Sequence, residues 1–114
     1  MILIVDDDNS VRKLVAHLLQ SRGFKFLEAQ NGLEAVQLYG SYHSDIALVI
    51  TDMQMPVMDG LEAIDRMREL SPGLRVILVT GAGPDLTPPD CSLLRKPFTP
   101  AQLLAEVERA LAAA

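Results

Sequence analysis

The stretch "VITDMQMPVMDG" (residues 49–60) decides the fold. An apolar run ends on one carboxylate, Asp52. A loop carrying three Met and one Pro follows and closes on Asp59-Gly60. Continuous apolar runs mark strands covered on both faces. Asp59, with Glu62 three residues on, opens a helix in the manner of a capping box. The stretch therefore reads as the end of a buried strand, a loop and a helix start, with a bare acid at the strand's tip.

The same unit recurs along the chain. Strands are expected at Ile2–Val5, Lys25–Glu28, Ile46–Thr51, Arg75–Thr80 and Ser92–Arg95. Val11, Leu14, Val15, Leu18 and Leu19 form the apolar stripe of a first helix, capped by Asp8 or Asn9 and ended by Gly23. Asn31 and Glu34 open a second helix, with the same spacing as Asp59 and Glu62. The last helix starts at Thr99, with Pro100 at its first position, Gln102 three residues after the cap, and Leu103, Leu104, Val107 and Leu111 as its stripe. Strands alternating with helices imply a parallel sheet covered on both faces. One place breaks the pattern. "GAGPDLTPPDC" (residues 81–91) holds three Pro and two Gly, and Pro clashes inside a helix. A loop is expected there, with at most one turn near residues 85–87, so the fourth helix is shortened or missing.

At 114 residues with a net charge of -5, the chain reads as one domain, 1–114, of ordinary size. An apolar share of 49% argues against disorder. The acidic balance argues against non-specific nucleic-acid binding. A single cysteine, Cys91, excludes a disulfide framework and fits a reducing compartment. No apolar run approaches the roughly 20 residues of a membrane span, and "MILIV" is too short for a signal sequence. A soluble cytoplasmic protein is expected.

Ligands of open parallel sheets bind beyond the carboxyl ends of the strands. Asp6, Asp7 and Asp8 follow the first strand, Asp52 the third, Thr80 ends the fourth, and Lys96-Pro97 follows the fifth. Crowded carboxylates repel one another, and a hard divalent cation such as Mg²⁺ resolves the crowding. A Lys and a Thr hydroxyl suit phosphoryl oxygens, and a carboxylate can itself become an aspartyl phosphate.

Four motifs, "VDD", "ITDMQMPVMDG", "VTG" and "RKPFT", each following a strand, together resemble those of response-regulator receiver domains of two-component signalling. The resemblance covers nearly the whole chain. It implies a flavodoxin-like (βα)5 three-layer sandwich with strand order 2-1-3-4-5. By position, Asp52 resembles the phosphoacceptor. Asp6 and Asp7 resemble the Mg²⁺-binding pair, with Asp7 the direct ligand, and the backbone carbonyl of Gln54 completes the set. Thr80 resembles the switch hydroxyl. Lys96 resembles the lysine that pairs with a phosphoryl oxygen, before a cis Pro97. The implied partner is a histidine kinase or histidine phosphotransfer protein. The ending "LLRKPFTPAQLLAEVERAL" is similar to that of hybrid-kinase receivers. Two departures stand out. Leu93 occupies a position where many receivers carry a rotating aromatic ring, and the fourth helix is the usual output face.

Plainer readings exist for most other residues. Asp8 is a helix cap, and Asp59-Gly60 a turn and cap. Met53, Met55 and Met58 pack the loop. Cys91 is a small buried hydrophobe, and His17 and His43 carry no chemistry. The first helix's stripe is core, with a flank that could dock a partner. Gln54 and Ala82 flank the site where they could position water. Two other functions compete. A haloacid-dehalogenase-type phosphatase needs an acidic pair after the lysine, and only Glu106 and Glu108 follow, within a helix. A non-phosphorylated receiver-like interaction module would normally lack one of the acids, the threonine or the lysine, and all are present.

Overall fold

The computed structural model describes residues 1–81 and 91–112. Five strands, β1 (Ile2–Val5), β2 (Phe26–Ala29), β3 (Leu48–Asp52), β4 (Arg75–Thr80) and β5 (Cys91–Arg95), form one parallel sheet of order β2-β1-β3-β4-β5. Four helices are described: α1 (Asn9–Ser21), α2 (Gly32–Tyr42), α3 (Gly60–Leu70) and α4 (Pro100–Ala112). The expectation of a shortened or missing helix after β4, and the place of Ala82, fall on residues 82–90, outside the described residues. No helix among the described residues is long and apolar enough to cross a membrane.

Two apolar layers flank the sheet. Leu3, Val5, Val49, Val76 and Leu78 face Ala35 and Tyr39 of α2 and Ala63, Ile64 and Met67 of α3. The alternate residues Ile2, Ile4, Leu48, Ile50, Ile77 and Val79 face Val15, Ala16 and Leu19 of α1 and Leu103 and Val107 of α4. This period-two partition explains the unbroken apolar strands: each successive residue serves the opposite layer.

The helix starts follow the expected chemistry. Asp8 caps α1, its Oδ1 accepting from the N–H groups of Ser10 and Val11. Asn31 accepts from the Glu34 N–H at 2.8 Å and Asp59 from the Glu62 N–H at 2.9 Å. At α4 the exchange is reciprocal. Thr99 Oγ1 accepts from the Gln102 N–H at 3.1 Å, while Gln102 Oε1 accepts from the Thr99 N–H at 2.8 Å.

Four expectations need correction. β2 runs one residue later than Lys25–Glu28, and β3 starts at Leu48 rather than Ile46. Ile46 is buried at 6% exposure but precedes the strand, so its apolarity reports packing and not pairing. On α1 the buried face is Arg12, Val15, Ala16 and Leu19. Leu14 is 46% exposed, because the helix turns its 12/15/16/19 row to the sheet. Cys91 is only partly buried, with its Sγ 3.7 Å from Nη1 of Arg68.

Candidate functional site

Asp52 ends β3, the middle strand, and is 9% exposed. One residue earlier the register pairs Thr51 with Val5 of β1, so the turn leaving β1 lies beside it. The β1–α1 turn places Asp6, 4% exposed, and the exposed Asp7 next to Asp52. One carboxylate oxygen from each of the three acids lies within 4.8 Å of the others. Asp8 points into the cap of α1 and stays out of this cluster, as its plainer reading has it.

Short local bonds aim the acids. The Asp8 N–H donates to Asp6 Oδ1 at 2.8 Å, and the Gln54 N–H donates to Asp52 Oδ1 at 3.3 Å. Thr80, 8% exposed, ends β4, and its carbonyl accepts from the Lys96 N–H at 2.7 Å. That bond carries Lys96, just past β5 and before a cis Pro97, back over the site. Its Nζ stands 3.3 Å from Asp52 Oδ2 and 3.5 Å from Asp6 Oδ2. The four expected strand ends thus meet at one edge of the sheet.

Charge in the cluster is only partly balanced. Burial pushes the Asp6 carboxyl above its ordinary range and the Asp52 charge adds to it, outweighing the Asp8 N–H and Lys96. Burial pulls the Lys96 ammonium down, but Asp52 and Asp6 outweigh it and hold its pKa above the ordinary lysine value. Three carboxylates against one ammonium leave room for more positive charge. All the ligand atoms are hard oxygens, so the donor set fits Mg²⁺ or a similar cation.

Three contributors were not legible as such in the sequence. Gly60, the first residue of α3, lets the helix start touch the end of β3: a Cβ there would meet the Asp52 carbonyl oxygen at 2.3 Å. Gly32 does the same for α2 and the loop, since its Cβ would meet the Met58 carbonyl oxygen at 2.4 Å. Arg12, 6% exposed, reaches the Asp6 carbonyl. A charged residue on the helix's buried row was the only signal for it. The loop itself turns at Val57, which has φ of 72° and is 75% exposed. Met53 and Met55 are half-buried against the core and Met58 is 8% exposed, consistent with loop packing. Leu93 pairs with Leu78 on β4 and packs on the core. His17 is exposed, and His43 follows α2 against the Tyr39 ring. Glu106 and Glu108 pair with Arg109 and Arg22, on helix surfaces.

A five-stranded parallel sheet of this order, with acids, threonine and lysine gathered at its carboxyl edge, defines a class that comparison makes explicit. The family described as "Response regulator receiver domain" matches residues 2–108, and the chain belongs to that family. The response regulator receiver protein CpdR of Brucella abortus is 34% identical over 119 residues, covering 99% of this chain and 98% of that protein. The sensor kinase CckA of the same organism is 33% identical over 116 residues, covering 96% of this chain but 12% of the kinase. Among solved structures, CheY in the CheX–CheY–BeF3–Mg²⁺ complex from Borrelia burgdorferi superposes with a TM-score of 0.90. It is 28% identical, covering 98% of this chain and 89% of that one. Receiver domains are phosphoacceptors of two-component signalling, work with histidine kinases, and are not enzymes of the ordinary kind. The receiver-like module without phosphorylation is not favoured.

Proposed function

We propose that residues 1–114 form one receiver domain. In it Asp52 accepts a phosphoryl group from a phosphohistidine of a histidine kinase or phosphotransfer protein, in a Mg²⁺-dependent reaction. The observation that carries this reading is the position of Asp52. It lies at the tip of the middle strand, with Asp6 and Asp7 oxygens within 4.8 Å and the Lys96 ammonium at 3.3 Å.

An Asp52 oxygen attacks phosphorus, the phosphorus–nitrogen bond breaks, and its electron pair leaves with the imidazole, which takes a proton from solvent. The product is an acyl phosphate on Asp52. Asp6, Asp7, Asp52 and the Gln54 carbonyl would hold the cation, which supplies positive charge to the phosphoryl oxygens when bound. Lys96 pairs with one phosphoryl oxygen as a point charge. The near-dry setting of Asp52 strengthens each of these interactions. The phosphoryl group adds about -1.5 to -2 charge and strong acceptors. Thr80 turns its hydroxyl toward them, shifting a two-state equilibrium of the neighbouring loops. The domain thereby assists its own phosphorylation and dephosphorylation without being an enzyme for a second substrate. Matches to hybrid kinases such as CckA support a kinase-linked setting. Receiver domains typically work in the cytoplasm, and we assign this one there.

Incubation with acetyl phosphate and Mg²⁺, read by intact mass, tests the proposal. One Mg²⁺-dependent phosphoryl adduct is expected, absent from Asp52→Ala. An adduct that persists in Asp52→Ala overturns the assignment of the acceptor. No adduct from acetyl phosphate or from a phosphohistidine donor overturns the function.

A further inference from the structure

Arg12 is a buried cation on a helix row that otherwise buries Val15, Ala16 and Leu19. Burying a guanidinium is costly unless each face finds a partner, and here each does. Nη1 donates to the Asp6 carbonyl oxygen at 2.9 Å. Nε donates to Glu28 Oε1 of β2 at 3.2 Å. Nη2 donates to Asn9 Oδ1. The first of these bonds has a geometric reason. The β1·β2 ladder ends at the pair Val5 and Ala29, and the Asp6 N–H still reaches the Ala29 carbonyl at 3.2 Å. The chain after Ala29 then turns away into α2, with Asn31 as its cap. The Asp6 carbonyl lies past the last ladder pair, and Arg12 takes it.

That carbonyl belongs to a planar peptide unit whose two ends are the Cα atoms of residues 6 and 7. Fixing its direction fixes the base from which both acid side chains hang. Glu28, shared with Lys13 at 3.1 Å, balances the Arg12 charge locally. Orientation is therefore the guanidinium's main contribution, and neutralisation of the acids the lesser one.

We propose that Arg12 is a positioning residue for the cation site. By bonding the Asp6 carbonyl it sets the peptide plane that presents the Asp6 and Asp7 carboxylates together, and through Glu28 it anchors that plane to β2. The proposal rests on the reading that these acids hold Mg²⁺. A lysine keeps the charge but lacks the planar fork, so it cannot serve the carbonyl and Glu28 in the same geometry.

The test is the Mg²⁺ dissociation constant, by calorimetry, of the wild type, Arg12→Met and Arg12→Lys, with folding checked by circular dichroism. Groups that orient metal ligands are worth about 10–100-fold in affinity. We expect about a tenfold loss in both variants, and faster hydrogen exchange at the Asp8 amide, which bonds Asp6 Oδ1. Full affinity in a folded Arg12→Met overturns the proposal. Full affinity in Arg12→Lys alone also overturns it, because charge would then suffice. Should neither variant fold, the wild type decides by NMR. The Arg12 Nε–H resonance must shift on Mg²⁺ titration with the same midpoint as the Asp6 and Asp7 amides, and a still resonance overturns the proposal. A wild type that binds no Mg²⁺ refutes the cation site itself, a different failure from equal binding by wild type and variants.

Discussion

Replacing Gly60 with alanine would put a methyl carbon 2.3 Å from the Asp52 carbonyl oxygen, 3.1 Å from Met53 Cα and 3.2 Å from the Asp52 carbonyl carbon. All three are backbone atoms, so no rotamer change relieves the contact. Non-bonded carbon contacts settle near 3.5–4.0 Å, so the start of α3 and the end of β3 must separate by about 1 Å. The separation strains the Gly60 N–H bond to the Met53 carbonyl, now 3.0 Å long. Overpacking of this kind costs about 1–3 kcal/mol, and the better helix propensity of alanine returns less than about 1 kcal/mol. Urea unfolding of Gly60→Ala should therefore show a loss of about 1–2 kcal/mol. Misplacing a reacting atom by about 1 Å can cost about 100-fold in rate. Adduct formation at Asp52 with acetyl phosphate should slow by about that factor. Gly40→Ala is the control. Gly40 sits on the exposed face of α2, and a methyl there would find nothing within 4 Å. Its replacement should stabilise by up to about 1 kcal/mol. Wild-type stability and rate in Gly60→Ala would refute the claim that the α3 start seats Asp52.

Three further outcomes are expected. Val57 has φ of 72° and bears a β-branched side chain, while the Met58 N–H closes onto the Pro56 carbonyl at 2.8 Å in a three-residue turn. Val57→Gly relieves about 1–2 kcal/mol of left-handed strain and loses about 0.5–1 kcal/mol of chain entropy, so its Tm should rise, and a fall would contradict the reading. Asp7→Asn removes one charge from a crowded cluster. Its Tm without Mg²⁺ should equal or exceed that of the wild type, while the Mg²⁺-dependent rise in Tm disappears; a retained rise would remove Asp7 from the ligand set. Lys96→Met takes the ammonium away from Asp52 and Asp6, so Mg²⁺ affinity should hold or increase, by up to about fivefold for a partly exposed pair worth about 1 kcal/mol. Phosphorylation-dependent shifts of the Thr80 amide should weaken in the same variant. A collapse of Mg²⁺ affinity there would show that Lys96 builds the cation site instead of competing with it.

The sheet was legible because each strand is a short apolar run and each helix carries its own cap. Asp8, Asn31, Asp59 and Thr99 all cap as their side chains dictate. Strand bounds were less so. Ile46 and Cys91 sit at strand entrances, where burial and pairing separate. The acids, Thr80 and Lys96 could be gathered from sequence because parallel strands bring their carboxyl ends to one edge. Gly60, Gly32 and Arg12 could not. The glycines matter through what another segment's backbone occupies. Arg12 matters through a carbonyl left beyond a ladder, and that ladder's end depends on where α2 departs. Leu14 was misplaced for a related reason: its stripe is amphipathic, but the sheet and α4 choose which edge of the stripe is covered.

The sheet order has a temporal consequence for this site. Asp6 and Asp52 hang from strands with neighbours on both sides, whereas Lys96 continues β5, which among the described strands pairs with β4 on one side only. Edge segments open locally at lower free energy than central ones. Asp6 and Asp52 are therefore held more firmly than Lys96, whose ammonium rides on the sheet's rim. A local opening of β5 would leave the cluster more negative without moving the Asp6 or Asp52 carboxylate. On the proposed reading, capture and loss of the cation would be timed by the fraying of this one strand while the centre of the sheet stays closed.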